Sequence, residues 1–295
     1  MKADSFVPEF TDRFPQAQVF RRILAGQEKR SAFLIKGPAE VGKSFLLSQF
    51  EHLAGDRLRS WYEFRDEREH NFLSLILNAV WELGGAQVFA ETLEQIKRTE
   101  RKHDVHIKFE DIRKPRKTGV GVSIGEFRDS SLRIGGHVVG GDYLQFNLPI
   151  EDDLQYWALQ DEISNKFFDD LRALSRSRGV MLFYDSFEVA PPEASQWLVS
   201  KLLNEMAHGR LPGVVVILAG RTIPEPTHRL KPITVITELK NFGLLAAARY
   251  WVRHRGLNLR DLLEICEVTG GHPKKLAEEA NRANGIPLEH RALVI

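Results

Sequence analysis

The chain has a single cysteine, Cys266, among its 295 residues. That excludes an internal disulfide framework and any multi-cysteine zinc site. Its neighbours have helical periodicity, so Cys266 reads as a buried structural thiol. No apolar run approaches the roughly 18 residues of a membrane span. Met1-Lys2-Ala3-Asp4 lacks the opening of a secretory leader. The expectation is a cytoplasmic protein with no membrane partner. Neither sign of charge is in excess: 41 Lys and Arg face 40 Asp and Glu, for a net charge of +1. No global field therefore draws nucleic acid. His103 and His106 lack a third ligand nearby, so their spacing alone does not make a metal site.

What is present is a chain of 43% hydrophobic and 27% charged residues, ordinary for a globular protein with one sizeable core and a smaller second unit. Its most informative segment is Gly37-Pro38-Ala39-Glu40-Val41-Gly42-Lys43-Ser44, a complete GxxxxGK[ST] phosphate-binding loop. In such a loop backbone N–H groups cradle phosphates, Lys43 reaches the β- and γ-phosphates, and Ser44 ligates Mg²⁺. The following helix aims its positive end at the same anion. Context agrees: Ala32–Ile35 is a short strand-type run, while Phe45, Leu46, Phe50 and Leu53 recur at helical spacing up to Gly55. Gly37 to Val41, Gly42, Lys43, Ser44 and Phe45 are the candidate nucleotide contacts, apart from Glu40. A carboxylate there is harmless if it faces solvent and weakens anion binding if it does not.

Further strands fit 60–64, 180–184, 214–219 and 233–237, and helices fit 72–97 (broken at Gly84-Gly85), 152–177 and 194–208. The runs Val180–Tyr184 and Val214–Ala219 are uninterrupted apolar stretches, the pattern of strands buried on both faces. These features predict a doubly wound α/β fold with the phosphate loop at the C-terminal edge of a parallel sheet. On this reading residues 1–99 and 150–238 form the core. Residues 239–295 form a helical subdomain, with helices at 244–254, 259–267 and 274–284. Residues 100–149 are an insert. Its first part is basic, with nine Lys and Arg against four Asp and Glu over 97–117. The second part is Gly-rich and alternating, which is hairpin material. It reads as a plain surface hairpin, a protein-contact edge, or a nucleic-acid contact.

Hydrolysis needs more than a phosphate loop. The 180–184 strand delivers Asp185 at its C-terminal end as a second Mg²⁺ anchor, and Glu188 three residues on as a base for water. The 214–219 strand ends in Gly220-Arg221, a cation suited to sensing a γ-phosphate. Ordinary caps and solvated surface charges remain the alternatives for all three.

In this order the motifs resemble those of STAND-class P-loop ATPases, the AAA+-related, NACHT-like signalling NTPases of bacterial type. Pro8-Glu9-Phe10-Thr11-Asp12-Arg13 resembles the segment that borders the adenine pocket, with Arg13 its arginine. Tyr184-Asp185-Ser186-Phe187-Glu188 is similar to a Walker B motif, and Ala219-Gly220-Arg221 to a sensor strand. Thr269-Gly270-Gly271-His272-Pro273 is similar to the GxP motif of the helical lid, where Pro273 would pack on the base. The resemblance covers 8–100 and 150–285 and implies an ASCE/AAA+-like fold with a lid, ATP or ADP with Mg²⁺, and low turnover. It also implies a nucleotide state that controls assembly with further copies or with an effector partner. A winged helix, effector domain and sensor repeats, usual in that class, are not found within these residues. The rival is an AAA+-type ATPase acting on DNA, and a third reading is a non-hydrolysing nucleotide-binding scaffold.

Overall fold

The computed structural model describes residues 12–66, 70–103, 107–109, 133–134, 137–138, 144–146, 153–258 and 262–283. The elements run α1 (Phe14–Leu24), β1 (Ala32–Lys36), α2 (Lys43–Leu53), β2 (Leu58–Glu63), α3 (Phe72–Leu83) and α4 (Ala90–His103). Short strands β3 (Ile107–Phe109), β4 (Arg133–Ile134), β5 (His137–Val138) and β6 (Leu144–Phe146) come next. Then follow α5 (Asp153–Ser177), β7 (Val180–Asp185), α6 (Pro192–Trp197), α7 (Leu203–Ala207), β8 (Val214–Gly220) and β9 (Thr234–Glu238). The C-terminal helices are α8 (Leu244–Ala248), α9 (Leu262–Thr269) and α10 (Pro273–Ala283).

Five strands form one parallel sheet in the order β2-β7-β8-β1-β9. Side chains alternate between its faces, so each apolar run feeds two cores. Ala32, Leu34, Leu182, Tyr184, Val216 and Leu218 face α3, α5 and the 192–207 helix. Phe33, Ile35, Met181, Phe183, Ile217 and Ala219 face α1 and α2. On that second side Phe20 and Phe50 stack 3.9 Å apart, and Phe33 meets Phe50 edge-on at 4.9 Å. Burying each such ring stabilises the fold by about 1.5–3 kcal/mol. The α/β, doubly wound reading of the sequence is therefore the architecture observed.

Between α4 and α5 two short antiparallel pairs form, β3 with β6 and β4 with β5. His106 and most of the Gly-rich, alternating part of 100–149 lie outside the described residues.

Some boundaries differ from expectation. The expected 194–208 helix starts at Pro192 and contains a π-helical stretch, Leu198–Leu202, between α6 and α7. An i+5 step lets Trp197 and Leu202, and Leu198 and Leu203, share one buried face, which a 3.6-residue period would not allow. A second π-helical stretch, Arg249–His254, extends α8. Trp157 of α5 is 38% exposed and rests edge-on against Tyr156. Cys266 is half-buried against the C-terminal cluster of Trp251, Leu262 and Leu276, and partial burial pushes its thiol pKa up.

Candidate functional site

Parallel strands deliver their C-terminal ends to one edge, and the sequence-derived residues gather there. β1 runs into the phosphate loop, which turns into α2 at Gly42 with φ of 95°, a left-handed conformation that favours glycine. No side chain caps this 11-residue helix, so its positive end faces the loop. Lys43 is buried and donates from Nζ to the Gly37 carbonyl at 2.9 Å and the Pro38 carbonyl at 2.6 Å. Burial lowers its pKa, opposed by the Glu188 and Asp185 carboxylates, while Arg65 and Arg221 add to the lowering. All four groups thus lie within electrostatic reach of one ammonium.

β7 is not a direct neighbour of β1, because β8 lies between them. Even so, the Ser44 hydroxyl donates to Asp185 Oδ2 at 2.8 Å, while Asp185 Oδ1 accepts from the Ser186 N–H at 2.7 Å. Ser186 is left-handed, with φ of 58°, and this turn swings Glu188 back across the tip of β8. There Glu188 Oε2 accepts from the Arg221 N–H at 2.9 Å. Oε1 accepts from Arg221 Nε at 3.0 Å and from Arg65 Nη2 at 2.9 Å. Burial alone would raise the Glu188 pKa, but the hydrogen bonds from Arg221 and Arg65 hold it below the usual carboxylate value. The structure thus brings Lys43, Ser44, Asp185, Glu188 and Arg221 together.

The remaining predicted contacts are distributed differently. Pro38 and Ala39 are exposed on the loop, whereas Val41 is fully buried and presents only backbone. Phe45 packs partly against the Phe20–Phe50 core. Arg13 is 7% exposed, with Nη2 donating to the Lys240 carbonyl at 2.6 Å and the Val41 carbonyl at 3.4 Å. Its guanidinium lies 5.2 Å over the Phe242 ring, Nε has no partner, and burial lowers its pKa. It therefore joins the start of α1 to the phosphate loop and to the segment leading into the C-terminal helices. Pro8 to Thr11 lie outside the described residues. Pro273 opens α10, and the Phe242 N–H donates to the Gly271 carbonyl at 2.8 Å. Arg13, Phe242 and Gly271 are thus linked beside the loop, with Pro273 two residues on at the start of α10.

Three site residues escaped the sequence reading. Arg65 follows the end of β2, where a charged loop residue carries no motif, and no local pattern in the sequence marks it. Glu63 lies opposite Asp185 in the β2–β7 register. Burial raises its pKa despite a hydrogen bond from Ser186. The third is Lys274, which hydrogen-bonds and ion-pairs with Glu40 of the phosphate loop.

Among the described residues no group of three or more His, Cys, Asp or Glu side chains is arranged to hold a metal, and no helix is long and apolar enough to cross a membrane. Ser44 Oγ and Asp185 Oδ2, two hard oxygens in contact, suit Mg²⁺, which fills its other positions with water and phosphate oxygens.

No protein-family model matches the chain, nor does any curated protein. Solved structures similar to it include a signal transduction ATPase with numerous domains and a tetratricopeptide-repeat sensor from Pyrococcus horikoshii. That similarity has 13% identity, a TM-score of 0.47, and covers 94% of this chain but 31% of that one. The chain thus spans about a third of that protein's length. Cdc6p from Pyrobaculum aerophilum gives 14% identity and a TM-score of 0.47 over 97% of this chain and 67% of that one. The ORC2 protein of Aeropyrum pernix in its ADP form gives 11% and 0.49, over 96% and 67%.

Proposed function

We propose that this chain binds ATP with Mg²⁺, hydrolyses it slowly, and works as a nucleotide-controlled switch. One observation carries the reading: Ser44 of the phosphate loop and Asp185 of β7, 141 positions apart, are in hydrogen-bond contact beside Lys43. In this reading the Gly37–Ser44 backbone cradles the phosphates, and Lys43 leaves the loop carbonyls for the β- and γ-phosphate oxygens. Ser44 and Asp185 would hold Mg²⁺, which when bound neutralises phosphate charge. Glu188 orients and deprotonates water, Arg221 answers to the γ-phosphate, and Arg13 and Pro273 border the base. Residues 1–99 and 150–238 act as the core and 239–295 as its lid.

Slow turnover follows from the state of Glu188. Three donors from two arginines occupy the carboxylate that must accept a proton. Depressed basicity and blocked lone pairs both oppose general-base work. Arrival of a γ-phosphate gives the arginines a competing anion, so hydrolysis is tied to full ligation. The switch then governs assembly with further copies or with an effector partner.

Denaturing freshly purified protein and identifying any released nucleotide tests occupancy. Turnover of wild type against Glu188→Gln tests the chemistry. Bound ADP, with hydrolysis lost at least a hundredfold in the variant, supports the proposal. Equal turnover in both proteins would remove Glu188 from the mechanism and favour a non-hydrolysing scaffold. The second reading, an ATPase acting on DNA, is favoured by the basic 97–117 run. It predicts DNA-stimulated turnover and binding that weakens steeply with salt.

A further inference from the structure

Glu40 presents two oddities at once. It is a non-glycine residue with φ of 60°, in the middle of the phosphate loop. An L-residue in this region is strained relative to glycine, so the loop conformation alone gives no reason for a glutamate here. Its carboxylate is also not solvated alone. It receives a hydrogen bond from Lys274 Nζ in the first turn of α10, and the two form an ion pair. That contact lowers the Glu40 pKa and raises that of Lys274; the neighbouring His272 adds to the first and Glu278 to the second.

The position of this pair is informative. The C-terminal helices leave the sheet through the segment after β9, where the Leu239 N–H donates to the Lys36 carbonyl at 2.7 Å and Arg13 holds the Lys240 carbonyl. Arg249 lies 5.4 Å over the Phe14 ring and adds a second contact on α1. Glu40–Lys274 ties the helices to the phosphate loop itself. We propose that Glu40 is a positioning residue: with Lys274 it forms a strap that holds the C-terminal helices shut over the phosphate loop and slows escape of a bound nucleotide. The part concerning nucleotide rests on the ATP-binding reading above; the strap itself does not.

The strap is exposed, with side-chain exposures of 51% for Glu40 and 33% for Lys274, so salt screens it. Exposed ion pairs have small coupling energies, which sets the expected change in release rate at about two- to fivefold.

The test measures release of a fluorescent ADP analogue from the full chain at low salt, with amide hydrogen exchange over 273–283 in nucleotide-free protein. Glu40→Gln removes the charge. Glu40→Gly also removes the left-handed strain, so it separates strap from loop conformation. If Glu40 served only the loop, glycine would hold ADP as long as wild type or longer; the strap predicts faster release from both variants. Glu40→Lys combined with Lys274→Glu should recover much of the retention, and added salt should bring wild type toward Glu40→Gln. Retention by Glu40→Gly equal to wild type, or a charge swap as leaky as the single variants, overturns the proposal. Should wild type hold no ADP analogue, the nucleotide reading fails. The exchange data then still decide: faster exchange over 273–283 in both Glu40 variants sustains the strap, and unchanged exchange overturns it.

Discussion

Gly270 and Gly271 are adjacent and both left-handed, with φ of 59° and 68°, yet the structure predicts very different costs for placing alanine at each. Alanine in this region costs about 1 kcal/mol by itself. At Gly270 nothing else is added, because the nearest atom to a new Cβ is Asn241 Nδ2 at 4.0 Å. At Gly271 the Cβ would lie 2.2 Å from the Phe242 carbonyl oxygen, a backbone atom that cannot swing aside. The two segments must separate by about 1 Å to reach ordinary contact. That separation breaks the Phe242 N–H to Gly271 carbonyl bond, worth about 1 kcal/mol. It also pulls Phe242 from beneath Arg13, worth about another 1 kcal/mol. The expected loss is therefore about 1 kcal/mol for Gly270→Ala and about 3 kcal/mol for Gly271→Ala. Thermal melts followed by circular dichroism should show shifts of about 2 °C and about 6 °C. Equal shifts would refute the close approach of the 239–243 segment to the start of α10, and with it the linkage beside the phosphate loop.

Other expectations follow from single contacts. The buried Trp197 indole donates to Ser164 Oγ at 2.8 Å, so Ser164→Ala strands that N–H and should cost about 1–3 kcal/mol in urea unfolding. Glu63 has a raised pKa in the fold, so its contribution to stability is present below the ordinary carboxylate range and is lost as pH rises through the folded value. Glu63→Gln should thus melt above wild type near pH 7 in the absence of Mg²⁺, with the difference closing near about pH 4; a variant less stable than wild type at pH 7 would contradict this. Arg65→Ala removes one of the donors that depress Glu188, so the acidic limb of the turnover–pH profile should move to higher pH. An unmoved limb would mean that Arg65 does not govern Glu188.

Much of the fold was legible because the 180–184 and 214–219 runs are short and apolar at every position, the pattern of a parallel strand covered on both faces. The phosphate loop was legible because its backbone path demands particular residues. The order of strands was not. That β8 separates β1 from β7 follows from long-range pairing that no local pattern encodes. The π-helical stretch at 198–202 was equally hidden, since it resolves a conflict between helical period and burial that exists only once the sheet is in place. Within the site, Asp185, Glu188 and Arg221 were found because each follows an apolar strand. Arg65 also follows a strand, but β2 alternates and its polar loop carries no pattern of its own. Glu40 looked like a defect in an anion-binding loop. Its partner Lys274 lies 234 positions away, and only the folded chain shows that the carboxylate meets a cation.

The central claim is that the Ser44–Asp185 contact belongs to a nucleotide site. Calorimetric titration of ATP into wild type and Lys43→Ala, after removal of any copurified nucleotide and with and without Mg²⁺, tests this most directly. Wild type should show one site per chain, tighter with Mg²⁺, and Lys43→Ala should bind at least tenfold more weakly. Equal affinity in the two proteins, or no binding to either, would contradict it.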